Sequence, residues 1–294
     1  MNYQALWSGP SGDVVFLAGF VAFFGLPFLT YLLLVTLGVA KLPASKVAGS
    51  GQRMLRPVFV GYYYWLLGPV FRLVGRTSLR PNHITMASMG MSALTAVAIG
   101  TGHFALASTL LIAGATLDII DGHLARAKKM TTASGAFLDS TVDRICDGLI
   151  FGGCVVYYAG TPLMYVSLLV MIMSFTVSYA RARGETLGIV GAEGLMQRAE
   201  RIAILGIALA FSPFFGHRVE GFVSHPFYAV TAVALGLLAL LNTTTVIARI
   251  RWTMARLKEG SHLNIVRSRA DRPVAEALRR PVAEAAPLLN QQAQ

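Results

Sequence analysis

The sequence predicts an all-α, polytopic membrane helix bundle with six core transmembrane helices, one extra N-terminal transmembrane helix and an interfacial helix. Three observations predict it. Hydrophobic residues make up 55% of the 294-residue chain and charged residues only 13%, against about a quarter charged in soluble domains, and mean hydropathy is +0.60. The apolar residues come in runs long enough to cross a bilayer, which takes about 20 residues of helix. The lysines and arginines fall between those runs in an alternating pattern, as they do when basic loops stay on the cytoplasmic side.

The net charge of +11 lies between and after the apolar runs. It therefore reads as topology and contact with anionic membrane lipids, and no nucleic-acid partner is expected. Cys146 and Cys154 share one apolar stretch, which argues against a disulfide framework or a zinc site. The six histidines are scattered and form no ligand cluster.

Taken in order, the first apolar run covers 14–40 and contains Pro27 near its middle, where a kink is expected. It has no small-residue cleavage site at its end and reads as a retained anchor. Residues 41–80 are basic. Within them 58–74 carries Tyr62, Tyr63, Tyr64 and Trp65 between arginines, the composition of a helix lying on the membrane surface; a further crossing is the alternative. After Pro81 and Asn82 follow apolar runs at 84–101, 104–120, 136–158, 162–180, 200–215 and 226–248, with tight turns at Gly102-His103 and Gly160-Thr161-Pro162. The division is an anchor (1–40), a cytoplasmic linker with the interfacial helix (41–82), a six-helix unit (83–250) and a basic, partly disordered tail (251–294). Residues 1–13 and the turns at 102–103 and 159–161 carry no Lys or Arg, while 41–80, 122–135, 181–201 and the tail do. One assignment fits: N-terminus outside, seven crossings, C-terminus in the cytoplasm, in the inner (cell) membrane.

Of 14 acidic residues, five fall between 118 and 147: Asp118, Asp121, Asp139, Asp143 and Asp147. A carboxylate at the bilayer centre costs at least ~2.5–3.5 kcal/mol, so acids at the ends of apolar runs are functional candidates. Asp118 and Asp121 are spaced i,i+3, and Asp139 and Asp143 i,i+4, so each pair projects from one helix face. The 122–138 stretch turns the chain back, allowing the pairs to converge. Converging carboxylates need a cation between them. Mg²⁺ or Mn²⁺ in a two-metal arrangement suits oxygen ligands and a phosphate substrate. Ion pairing with Arg126, Lys128, Lys129 and Arg144 is the structural alternative. For Asp147 a buried hydrogen bond to a neighbouring helix is the expected role.

These residues spell Asp118-x-x-Asp121-Gly122-x-x-Ala125-Arg126, eight residues, then Gly135-x-x-x-Asp139-x-x-x-Asp143. The pattern resembles the signature of the CDP-alcohol phosphatidyltransferases at every fixed position, and the resemblance covers about 77–250. It implies a six-helix bundle preceded by an interfacial helix, a homodimer, and transfer of a phosphatidyl group from CDP-diacylglycerol to an alcohol with release of CMP. It further implies that Asp118, Asp121, Asp139 and Asp143 bind metal, with Asp143 as general base. Asp118, Gly122, Ala125, Arg126 and Gly135 would contact the CDP moiety. Pro81-Asn82-x-x-Thr85 also looks like the family's start to its first core helix; an ordinary helix-start turn explains it equally well.

The 178–201 stretch is similar to that of the family's inositol-phosphate-using members. By that resemblance Ser178, Arg181, Arg201 and Arg249 hold the phosphate of a small, phosphorylated polar alcohol. Arg181 stands where lysine is usual in the actinobacterial pattern, and Gln197 and Ala199 replace Glu and Pro. Glycerol 3-phosphate is the alternative acceptor, and the positive-inside bias alone is the alternative reading of the arginines. A cation-coupled transporter is the alternative of another class; it would lead one to expect internal repeats, and none is seen.

Overall fold

The computed structural model describes residues 26–37, 57–189, 196–214 and 228–258, with Gly19 and Ala22. In chain order the helices are α1 (Leu26–Thr36), α2 (Pro57–Leu66), α3 (Gly68–Gly75), α4 (Pro81–Gly100), α5 (Phe104–Ala127), α6 (Ala133–Tyr157), α7 (Pro162–Thr186), α8 (Arg198–Phe211) and α9 (Ala229–Lys258). No strand occurs among the described residues. Four of these helices, α4, α5, α7 and α9, are long and apolar enough to cross a membrane. The protein is an integral membrane protein, all-helical among the described residues.

Three helices run well past the C-terminal ends of the apolar runs that announced them, while α8 stops at Phe211, short of the end of its 200–215 run. α5 continues seven residues past 120 to Ala127, α7 six past 180 to Thr186, and α9 ten past 248 to Lys258. Hydropathy marks only the length that meets lipid, whereas backbone hydrogen bonding carries a helix on through polar residues. The 122–138 turn therefore shrinks to 128–132, and 251–258, assigned to the tail, belongs to α9. The single helix expected over 58–74 is two, broken at Leu67. Pro69, in the first turn of α3, has no N–H to continue the ladder from α2. Pro27 lies in α1, and the residues just before it, where the expected kink would show, lie outside the described residues. The rest of the 14–40 run and residues 259–294 lie outside the described residues.

α4 is the hub. It packs against both α5 and α6, while α7 packs on α6, α8 and α3 on α5, and α1 on α2. Small residues make the close contacts possible. A Cβ added to Gly153 on α6 would lie 2.6 Å from the carbonyl oxygen of Ala96 on α4, so only glycine fits that crossing. Buried hydroxyls and amides tie the remaining helices. Ser108 donates to the Gly206 carbonyl at 2.9 Å, Asn242 donates to Ser174 at 3.1 Å, and Ser212 bonds Thr231.

The reversals are set locally. α4 ends in a Schellman motif, with the His103 N–H on the Ala98 carbonyl and the Gly102 N–H on that of Ile99; Gly102 takes φ 81°. α5 ends in the same way with Lys129 at φ 54°. Thr132 caps α6 by accepting the Gly135 N–H at 3.0 Å, and Gln197 and Glu200 form a capping box on α8. The main apolar core joins Ile99, Phe104, Phe151, Leu205 and Leu235. Large apolar side chains such as Val97, Val156 and Val233 point outward, as in helices that face lipid.

Candidate active site

The site forms where the last turns of α5 meet the first turns of α6. Asp118 and Asp121 stand one turn apart on α5, Asp139 and Asp143 one turn apart on α6, and the five-residue reversal at 128–132 folds the second pair over the first. Asp118, Asp121 and Asp139 each offer an oxygen, all within 4.8 Å of one another. Their exposure is graded: Asp121 is buried, Asp118 half-buried and Asp139 exposed, so the cluster opens on one side. Asp121 is held from α4, where the Thr85 hydroxyl donates to its Oδ2 at 2.5 Å.

Asp143 stands on the other side of Asp118, linked to it by Arg198. The Nη1 of Arg198 donates to Asp118 Oδ2 at 2.8 Å and lies 2.9 Å from Asp143 Oδ1. Its Nε reaches Asp147 Oδ1 at 3.4 Å. Asp147, buried as expected of a residue bonding a neighbouring helix, also accepts from Arg201 Nη2 at 2.8 Å. Buried charges of this kind require partners. One turn of α8, started by the Gln197–Glu200 box, thus presents Arg198 and Arg201 to the acidic face of α6. The direct ion pairs to the carboxylates come from Arg198 and Arg201 of α8, with Arg144 and Arg126 also close enough to act electrostatically on Asp139; Lys128 donates instead to the carbonyls of Thr77 and Leu79, and Arg144 to that of Ser140.

The small residues of the motif sit on the same two helices as the aspartates, outside the wall of the adjacent cavity. At Gly122 an added Cβ would stand 3.5 Å from the guanidinium of Arg126, which folds back along its own helix. At Gly135 it would stand 3.0 Å from the capping hydroxyl of Thr132 and 3.8 Å from Asn82 Oδ1. Gly135 and the N-terminus of α4 therefore face each other. Ala125 is half-buried and Arg126 exposed.

A cavity of about 840 Å³ opens beside the carboxylates. Asp118, Asp139 and Asp143 line it, and so do Ser178 and Arg181 of α7, Arg201 of α8 and Arg249 of α9. All four residues proposed for an acceptor phosphate thus share one space with three of the four aspartates; Asp121 and the glycines lie outside its wall. Arg201 is 1% exposed, and its Nε and Nη1 have no protein partner among the described residues; the same is true of Arg249 Nε, while Arg249 Nη1 donates to the Val177 carbonyl at 2.6 Å. Arg181 is more exposed and pairs with Glu185 at 2.9 Å.

Two site residues were not singled out from the sequence. Arg198 was visible only as one arginine in a basic stretch. Thr85 was visible in the Pro81-Asn82-x-x-Thr85 pattern, but nothing along the chain ties its hydroxyl to Asp121, 36 residues later. Chemically, the arrangement combines a hard-oxygen donor set that fits Mg²⁺ or Mn²⁺, a carboxylate beside it, and buried cationic donors a cavity's width away.

Comparison with known proteins agrees with this chemistry. Residues 78–250 match the CDP-alcohol phosphatidyltransferase family. The chain is 32% identical to a phosphatidylinositol phosphate synthase of Streptomyces avermitilis over 206 residues, 68% of this chain and 82% of the relative. It is 34% identical to an archaetidylinositol phosphate synthase of Methanothermobacter thermautotrophicus over 186 residues, 63% and 89% of the two chains. Among solved structures it is similar to the Mycobacterium tuberculosis phosphatidylinositol phosphate synthase with CDP-DAG bound: TM-score 0.55, 28% identity, 63% of this chain and 92% of that one. The same enzyme in complex with manganese and citrate matches at TM-score 0.55, with 28% identity over 63% and 88%. The matched span holds every carboxylate and arginine described above, and the chain is an enzyme belonging to the CDP-alcohol phosphatidyltransferase family.

Proposed function

We propose that the protein transfers the phosphatidyl group of CDP-diacylglycerol to the hydroxyl of an inositol phosphate, releasing CMP. The observation that carries this is the shared cavity: its wall includes Asp118, Asp139 and Asp143 together with the four residues able to hold a phosphorylated acceptor. Arg201 and Arg249 support it further. Buried donors without partners are costly, and an anion between these side chains satisfies them. The solved relative with CDP-DAG and the inositol-phosphate-using relatives point the same way. A transporter reading has no such support.

The residues to hold metal are Asp118, Asp121, Asp139 and Asp143. The ions, when bound, neutralise the donor diphosphate and stabilise the attacking and leaving oxygens. Thr85 fixes the orientation of Asp121. Gly122, Ala125 and Gly135 keep the helix surfaces low where CDP approaches, with Asp118 at the same edge, and Arg126 unfolds from Gly122 to meet the diphosphate. Ser178, Arg181, Arg201 and Arg249 hold the acceptor phosphate. This directs an acceptor hydroxyl at Asp143, which takes its proton. The oxygen attacks the β-phosphorus, the bond from that phosphorus to the bridging oxygen breaks, and CMP departs. General-base help of this kind is worth about 10²–10⁴-fold.

In the same reading α4–α9 are six crossings of the 83–250 unit, α1 belongs to an N-terminal anchor within 1–40, α2 and α3 of the 41–82 linker lie at the interface, and the basic tail is cytoplasmic. The N-terminus is outside, the site faces the cytoplasm, and the enzyme is a homodimer surrounded by membrane lipid. The test offers membranes containing the protein CDP-diacylglycerol with inositol 1-phosphate, inositol, glycerol 3-phosphate or serine, each in Mg²⁺ or Mn²⁺, and follows CMP. Release with inositol 1-phosphate alone is expected. Preference for glycerol 3-phosphate replaces the acceptor, and no release with any alcohol overturns the reaction.

A further inference from the structure

α1 lies outside the stretch matched to the family, yet it touches a helix that lines the catalytic cavity. Phe28 meets the Tyr62 ring edge-on at 5.0 Å between centroids, and Tyr31 lies 5.8 Å from Tyr62 and 5.7 Å from Trp65. Tyr31 is 1% exposed on a helix whose leucines Leu26, Leu29 and Leu33 face outward. On their other side the aromatic residues of α2 and α3 reach α5 at two points. The Tyr63 hydroxyl bonds Thr116, two residues before Asp118. Tyr64 packs on Phe71, which stacks on His123 at 4.0 Å, two residues after Asp121. The aspartate pair is thus bracketed by two attachments of the same aromatic unit.

Tyr62, Tyr63 and Tyr64 line the cavity together with the arginines of α7, α8 and α9. A tyrosine ring has an apolar face and a polar edge, which suits a compact polyol whose C–H faces pack on rings. The arginines, with charged donors in a planar fork, suit the phosphate. We propose that α1 is a brace for acceptor selection: through Phe28 and Tyr31 it holds Tyr62 and its neighbours as an aromatic wall against the polyol body of the acceptor. Phe28 and Tyr31 are positioning residues, and Tyr62 is a specificity-determining contact. This rests on the acceptor reading above, so the experiment separates the two.

The full-length enzyme is compared with a Phe28→Ala, Tyr31→Ala double variant, a Tyr31→Phe variant and a Tyr62→Leu variant. CMP release is measured against inositol 1-phosphate and, separately, against CDP-diacylglycerol, and Mn²⁺ affinity is measured by spin resonance. The double variant and Tyr62→Leu each raise KM for inositol 1-phosphate about tenfold. KM for CDP-diacylglycerol and the Mn²⁺ affinity stay within about twofold. Tyr31→Phe, which keeps the ring, behaves as the unmodified protein. A rise in KM for both substrates, or lowered thermal stability with the acceptor KM unchanged, overturns the inference as a merely structural role. Should the double variant fail to accumulate in membranes, Tyr62→Leu decides alone, by the same criterion. If the unmodified enzyme releases no CMP with inositol 1-phosphate, the acceptor reading fails and takes this one with it. If it does and the variants keep its KM, only the brace fails.

Discussion

Thr85 and Asp143 show how much of the site depends on single side chains. Thr85 reaches from α4 to the buried carboxylate of Asp121, one of the proposed metal ligands. Hydrogen-bond partners of metal ligands commonly account for about 10–100-fold in metal affinity or activity. Thr85→Val removes the hydroxyl and keeps the shape, so Mn²⁺ affinity should fall by a factor in that range while the protein still inserts; titration with Mn²⁺ by spin resonance checks it. Asp143 faces the cavity beside Arg198. Asp143→Asn keeps volume and hydrogen-bonding capacity but cannot take a proton. CMP release should drop by about 10²-fold or more with unchanged membrane insertion, and substantial remaining turnover would remove the base assignment. Arg198 has the opposite character. It is held by three carboxylates from two helices, and no local feature of the 197–201 stretch reveals that.

At the scale of elements, α4 decides the geometry. It presents Thr85 to α5 and leaves room for α6 to approach only because position 153 lacks a side chain. A methyl group there meets backbone, not a flexible side-chain tip, so the two helices must move apart. Overpacking of this sort costs about 1–3 kcal/mol. Gly153→Ala should lower the unfolding temperature in detergent and weaken activity, because the N-terminal half of α6 carries Asp139 and Asp143. Gly152, next in sequence, has open space where its side chain would be; Gly152→Ala should change neither quantity and is the matched control. The longer-than-expected helices matter here too. Asp118 and Asp121 belong to a continuous helix that runs to Ala127, so their relative orientation is fixed by helix geometry and not by a loop. The seven residues added to the end of the apolar run are the ones that carry Asp121, Gly122, Ala125 and Arg126.

For the whole molecule, the carboxylates cluster at one end of the bundle, away from the aromatic contacts of Phe104, Tyr157 and Tyr228. A chelator that strips divalent ions should abolish CMP release without unfolding the bundle, because its core is the apolar cluster around α4 to α9. Activity should return on adding Mg²⁺ or Mn²⁺. Circular dichroism before and after chelation, beside the CMP assay, separates loss of the metal from loss of the fold.

Much of this was legible along the chain because the signals are local. Apolar run length announces a membrane helix, and an i,i+3 or i,i+4 spacing announces a shared face. Pro81, Gly102, Gly160 and Pro162 announce helix ends, and all of these stand where expected. What lies beyond them depends on distances through space. That Thr85 meets Asp121, that Arg198 and not a neighbouring lysine meets the acids, and that Arg249 and Ser178 open onto one cavity follow from how six separate helices cross. The break at Leu67 and the docking of α1 on Tyr62 are of the same kind. By itself the sequence determined the helical class, its membrane habitat and the identity of the acidic cluster, since each is written in residue spacing and hydration preference. Only the tertiary structure decided which cations face those acids and what shares their cavity, since a side chain's partners are set by packing between segments far apart in the chain.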